Sequence, residues 1–185
     1  PIAIWDANST VVISGLTNSS PAAPNNLNQA FGNFTWNTPS MGATASFSLG
    51  GQLTNVRGNL TFVSTGTTPR VVRLASGGSG YSLNIGRDFI VSGGTIFLTQ
   101  SLSSSTTITV GTVASGNFTH SNGNVSFAVT NSNDVNLDIA GNFSKSGGSL
   151  TSGSGAGARR IRFNGTGADQ NYSVNLLSSA FDFVV

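Results

Sequence analysis

The sequence contains no cysteine and no glutamate, a single lysine, one histidine and one methionine, and charged residues make up only 8% of it. Without cysteine there is neither a disulfide framework nor a thiolate metal site. Scarcity of Glu, Lys, Met and Gln, which favour helices, argues against a helical bundle. No run of about twenty apolar residues occurs, so nothing in the sequence spans a bilayer as a helix. A surface with so few charges must be solubilised by hydroxyl and amide groups instead. Ser, Thr, Asn and Gly supply about half of the 185 residues, and that length suits one domain.

The formal charge is +2, and the pI of 9.7 reflects a shortage of acids rather than a basic surface. Nucleic-acid binding needs clustered Lys and Arg to displace counterions. The one compact cluster is Arg159, Arg160 and Arg162, with a looser pair at Arg70 and Arg73. Strand alternation across Arg160-Ile161-Arg162-Phe163 puts the arginines on the solvent face, so no nucleic-acid partner is expected. Such a composition is common in extracellular bacterial β-proteins, and the expected location is outside the cell or on its surface. Asn-X-Ser/Thr triplets recur at Asn8, Asn33, Asn59, Asn117, Asn142 and Asn164. Most of them fall inside a repeat, which accounts for them without glycosylation.

That repeat is the strongest signal in the chain. Five segments share a core: Gly32-Asn33-Phe34-Thr35, Gly58-Asn59-Leu60-Thr61, Gly86-Arg87-Asp88-Phe89, Gly116-Asn117-Phe118-Thr119 and Gly141-Asn142-Phe143-Ser144. A polar glycine pair follows some of them, as in Ser92-Gly93-Gly94-Thr95-Ile96 and Ser146-Gly147-Gly148-Ser149-Leu150. With the weaker copy at Gly165, the marker glycines lie 26, 28, 30, 25 and 24 residues apart. Three short strands and three turns consume about that many residues, which is one coil of a parallel β-helix.

In this reading Gly32, Gly58, Gly86, Gly116 and Gly141 supply positive φ at a corner. Asn33, Asn59, Asn117 and Asn142 stack as amide ladders. Phe34, Leu60, Phe89, Phe118 and Phe143 form an interior column, each buried side chain contributing about 1.5–3 kcal/mol. The expected fold is thus an all-β, right-handed parallel β-helix of about six to seven coils in a single domain. Residues 1–31 would form an atypical first coil or cap, 32–165 the regular repeats and 166–185 the last coil. The competing architecture is an antiparallel β-sandwich, which gives no reason for one Gly-Asn-Phe element to return at full-coil intervals.

The Gly-Asn-Phe-Thr and Ser-Gly-Gly-Thr-Ile patterns resemble the β-strand repeats of large secreted and surface proteins of Bacteroidetes. So do Ile161-Arg162-Phe163-Asn164-Gly165-Thr166-Gly167 and the opening Ile4-Trp5-Asp6-Ala7-Asn8-Ser9-Thr10. The resemblance implies an exported right-handed β-helix, often followed by a C-terminal domain for type IX secretion. No such domain follows Phe181-Asp182-Phe183-Val184-Val185, which leaves a processed product and a fragment both open.

No constellation for chemistry emerges, and no enzyme, cofactor or metal is expected. His120 follows Gly116-Asn117-Phe118-Thr119, where the next copy carries Lys145, and reads as a surface position of the repeat. Of the six acids only Asp134 and Asp138 lie close in sequence, too little to mark a glycosidase pair. Thr107-Ile108-Thr109 could order water, but the triplet does not recur in neighbouring coils.

A solenoid has two open ends with unpaired strand edges. Here Ile2, Ile4 and Trp5 mark one end, and Phe181, Phe183 and Val185 the other, without a charged or helical cap. The expected role is an extracellular structural protein whose subunits stack end to end, or whose ends are covered by flanking domains of a longer chain. The alternative is an adhesin or carbohydrate-binding module using Trp5, Trp36, Tyr81 and Tyr172 on glycans, core packing being the ordinary role of such rings.

Overall fold

The computed structural model describes residues 3–17, 25–42, 46–67, 69–112, 115–130, 132–167 and 169–185. Ile2, one of the residues assigned to the N-terminal end, lies outside them. The described residues contain no helix, so none is long and apolar enough to cross a membrane. Their strands form three sheets in which every strand pair is parallel.

In coil order, the first sheet holds Ala30–Phe31, Asn55–Val56, Tyr81–Ile85, Thr106–Val110, Val135–Ile139, Arg159–Phe163 and Asp182–Val184. The second holds Thr10–Ile13, Asn33–Asn37, Leu60–Ser64, Phe89–Val91, Phe118–His120, Phe143–Lys145 and Tyr172–Val174. The third holds Ser46–Ser48, Val71–Ser76, Thr95–Gln100, Asn124–Val129 and Ser149–Gly153. From Ala30–Phe31 to Tyr172–Val174 the chain visits them in the cycle first, second, third, and each lap pairs with the lap before it; Asp182–Val184 then follows with no third-sheet strand between. This is a β-solenoid of about six coils, of the right-handed parallel β-helix class. Facing layers of antiparallel strands, as in a sandwich, are not present among the described residues.

Short strands with every second residue apolar explain the winding. In Tyr81–Ile85 the burial alternates, with Tyr81, Leu83 and Ile85 inside and Ser82 and Asn84 outside. Stacking coils about 4.8 Å apart brings equivalent inward residues into columns. One runs Val11, Phe34, Leu60, Phe89, Phe118, Phe143, Tyr172 along the second sheet. The five residues from Phe34 to Phe143 are fully buried, and Phe118 and Phe143 stack at 5.1 Å. Phe31, Val56, Ile85, Val110, Ile139 and Phe163 form a second column on the first sheet.

The marker glycines do a different job from the one their spacing suggests. Gly32, Gly58, Gly86 and Gly141 have ordinary backbone angles, and of the five only Gly116 has positive φ, at 124°. What they lack is room. A Cβ on Gly86 would sit against the Arg57 carbonyl oxygen of the preceding coil, and one on Gly32 against the carbonyls of Asp6 and Ser9. Positive φ belongs instead to Gly66, Gly94, Gly123 and Gly148 at the next corner, where the second sheet gives way to the third.

The asparagines also stack, chiefly side chain to main chain rather than amide to amide, although Asn171 Nδ2 also donates to Asn142 Oδ1 at a long 3.5 Å. Each side-chain carbonyl accepts from the main-chain N–H of the equivalent residue one coil on. Asn33 Oδ1 accepts from Asn59 at 2.9 Å, Asn59 Oδ1 from Asp88 at 3.1 Å and Asp88 Oδ1 from Asn117 at 2.8 Å. Asn117 Oδ1 accepts from Asn142 at 2.9 Å, and Asn142 Oδ1 from Asn171 at 2.8 Å. Asp88 fits because the ladder needs only an acceptor, and it takes a second bond from Asn117 Nδ2 at 3.0 Å. This ladder generates the Asn-X-Ser/Thr triplets: ladder residue outward, column residue inward, hydroxyl outward.

His120 is not on the surface. It continues the inward alternation from Phe118, is fully buried, and stands in register with Val91 and Lys145, the latter only 3% exposed.

Candidate assembly ends

Both ends of the solenoid carry strands paired on one side only: Thr10–Ile13, Ala30–Phe31 and Ser46–Ser48 at one end, Ser149–Gly153, Tyr172–Val174 and Asp182–Val184 at the other. Their side chains differ. At the N-terminal end Trp5 is half-buried, its ring 5.5 Å from that of Phe31 at the end of the first-sheet column. Gln29 Oε1 accepts from Trp5 Nε1 and from the Ala3 N–H, each at 3.1 Å, and Arg57 donates to the Trp5 carbonyl. The turn at Asp6–Ser9 then passes over Gly32, and the Ser9 carbonyl accepts from the Asn33 N–H at 2.7 Å. Trp5 is therefore part of a lid on its own chain, while Ile4 is fully exposed.

At the C-terminal end Phe181 turns inward, 4.8 Å from the ring of Phe127. Phe183 meets Tyr172 edge to face at 4.8 Å, yet both remain more than 40% exposed. Leu176, Val184 and Val185 are exposed beside them. Phe163, Asp169, Gln170, Tyr172 and Val185 line a notch of about 340 Å³. Of the residues assigned to the ends, Ile4, Phe183 and Val185 present apolar surface, while Trp5 and Phe181 spend theirs on the core.

The other candidates are placed elsewhere. Trp36 is fully buried, donating to Thr38 Oγ1 at 2.8 Å, and Tyr81 is 5% exposed with its hydroxyl donating to the Leu53 carbonyl. Neither offers a face to a sugar. Tyr172 and Trp5 sit at opposite ends of the rod.

The arginine cluster is occupied. Arg162 grips Asp138 with two bonds of 2.6 Å, Arg160 reaches Asp134 at 2.6 Å, and buried Arg159 donates to the carbonyls of Ser152, Asn133 and Ser154. The bond from Arg160 holds the Asp134 carboxyl below its ordinary range, helped by the Ala158 N–H; a general acid needs the opposite shift. Thr107 and Thr109 are flanked by Ser82 and Asn84 on one coil and by Asn136 and Asp138 on the other, so the threonine row ends after one coil.

No group of three or more metal-binding side chains gathers among the described residues. No family model matches the chain, and neither the curated proteins nor the solved structures compared with it provide a match.

Proposed function

We propose that the chain is an extracellular structural protein whose solenoid subunits associate head to tail into a rod or surface fibre. The observation that carries this reading is the apolar C-terminal end, where Tyr172, Phe183 and Val185 stay exposed beside two one-sided strands. An edge of that kind is a template for further pairing unless it is blocked. At the opposite end Ile4 is exposed, and a second copy would set it near the notch beside Phe163 and Val185. Such a contact is heterologous and propagates openly.

The exported, type IX-associated setting implied by the repeat patterns belongs to this proposal, supported by a surface of hydroxyls and amides. A carbohydrate-binding or adhesin role has less support, since Trp36 and Tyr81 are core residues. Sedimentation and electron microscopy of the purified chain over a concentration series test the proposal. Rods that lengthen with concentration are expected, and Phe183→Lys, which sets a charge on the end of an interior column, should keep the chain monomeric with its β-sheet spectrum intact. A wild-type chain that stays monomeric at the highest concentration overturns it.

A further inference from the structure

One interior column changes character partway along the rod. Coil by coil it reads Trp36, Phe62, Val91, His120, Lys145, Val174. The first three are apolar or, for Trp36, satisfied by Thr38. The next two are ionisable and buried. Lys145 Nζ donates to the Gly148 carbonyl at 2.8 Å, and His120 Nε2 lies 3.3 Å from the Gly123 carbonyl. Each side chain thus reaches the corner turn of its own coil. His120 Nδ1 is buried with no partner.

Nothing nearby offers a negative charge. The strand before His120 in the stack, Phe89–Val91, carries no charged residue; nor do Asn124–Val129, which follows it in the coil, or Ser149–Gly153. The strand after it, Phe143–Lys145, contributes Lys145, the one charged group that acts on the imidazole. The Phe118 ring lies 6.4 Å away, and the main chain of Asn122 and Gly148 also borders the imidazole.

We propose that His120 and Lys145 form an acid-sensitive joint: protonating His120 puts a second positive charge in a column that already holds the lysine ammonium, and the coils at this level open while the N-terminal coils stay closed. The protonated imidazole has no acceptor for Nδ1–H and no counter-ion, whereas in the opened chain water accepts that hydrogen bond and solvates the charge. Burial holds the imidazole below its ordinary value, and Lys145 pushes the same way, against the opposing pull of the Gly123 and Asn122 main chain. The opened form therefore takes up the proton first. Stability is complete above the ordinary histidine value of about 6.5 and is lost as pH falls below it, by about tenfold in the opening equilibrium per pH unit. The chain has no glutamate and no second histidine, so His120 is the only side chain with an ordinary pKa between about 5 and about 7.

Hydrogen exchange of the full chain at about pH 7.5 and about pH 5, corrected for intrinsic rates, reads the joint directly. Amides of Phe118–His120 and Phe143–Lys145 should lose protection in acid while those of Asn33–Asn37 and Leu60–Ser64 keep theirs. His120→Val, which restores the residue of the preceding coil, should remove the difference. Should that variant misfold, the wild-type imidazole signal, unique in this chain, still decides: it should shift only as protection is lost, and Lys145→Met should move its titration upward. Equal protection at both pH values, or an imidazole that titrates at or above about 6.5 in the intact fold, overturns the proposal.

Discussion

Gly86 and Gly77 are both corner glycines, and they are glycine for opposite reasons. Gly86 has an ordinary backbone but no space, because the Arg57 carbonyl of the coil below occupies the place of a Cβ. Gly77 has open space, nothing lying within 4 Å of a Cβ, but its φ is +67°. The first constraint comes from stacking, so it exists only once neighbouring coils are in place. The second is local and belongs to the turn between the third sheet and the first. In a solenoid the same letter can thus mark a tertiary contact at one corner and a backbone conformation at another.

The largest effect expected from this contrast is at Gly86. In Gly86→Ala the new methyl meets main chain on both of its nearest contacts, Arg57 O and Arg57 C, which cannot rotate away. The coils must part locally, and the cost should reach about 3 kcal/mol, the upper end of ordinary overpacking. Gly141→Ala should cost less, because its closest backbone contact, Gly116 O at 2.8 Å, is looser than that from Gly86 to Arg57 O, and its nearest contact at 2.7 Å is the Asn117 side-chain oxygen. Urea midpoints of the two variants measure the difference. Equal losses would mean that coil spacing relaxes freely and that stacking does not fix these glycines.

Repetition is what made the fold legible. The return of Gly-Asn-Phe at coil-length intervals identifies the column from Phe34 to Phe143, because a residue that recurs once per coil must face its own copies. The role of the marker glycine was not legible. Sequence shows that glycine is required there, while the choice between tight space and unusual φ depends on how closely the coils approach. His120 is legible from periodicity alone: the alternation inward at Phe118, outward at Thr119 and inward again puts it in the interior. Its polarity suggested the surface, and a single buried histidine against a lysine breaks the composition rule rather than the periodicity. At the ends, Trp5 and Phe183 look alike in sequence. Only the placement of Gln29 and Arg57 around Trp5 separates a lid from an open edge.

A middle-sized effect belongs to the ladder that accompanies the tight glycines. Asn117→Ala removes the acceptor for the Asn142 N–H and the Nδ2 donor to Asp88. The loss should be about 1–2 kcal/mol, since the Asn142 amide is exposed enough to find water. Asn117→Asp tests whether an acceptor alone suffices. It keeps the bond to Asn142 but sets a carboxylate beside Asp88, so it should be less stable than wild type at neutral pH and recover as the acids are protonated. Recovery on acidification distinguishes charge repulsion from a lost hydrogen bond.

The smallest effect is expected at Gly77, and there the order of substitutions matters more than their size. Alanine in the left-handed region costs about 1 kcal/mol, because its Cβ crowds the following carbonyl. Asparagine visits that region more readily, and with nothing within 4 Å its side chain has room to project into solvent. Gly77→Asn should therefore be closer to wild type than Gly77→Ala, although it is the larger residue. At Gly86 the order must reverse, since the Cβ already meets the Arg57 main chain and a larger side chain adds to the crowding. The four urea midpoints form one measurement. If alanine beats asparagine at both corners, size governs both, and the separation of a stacking glycine from a turn glycine is lost.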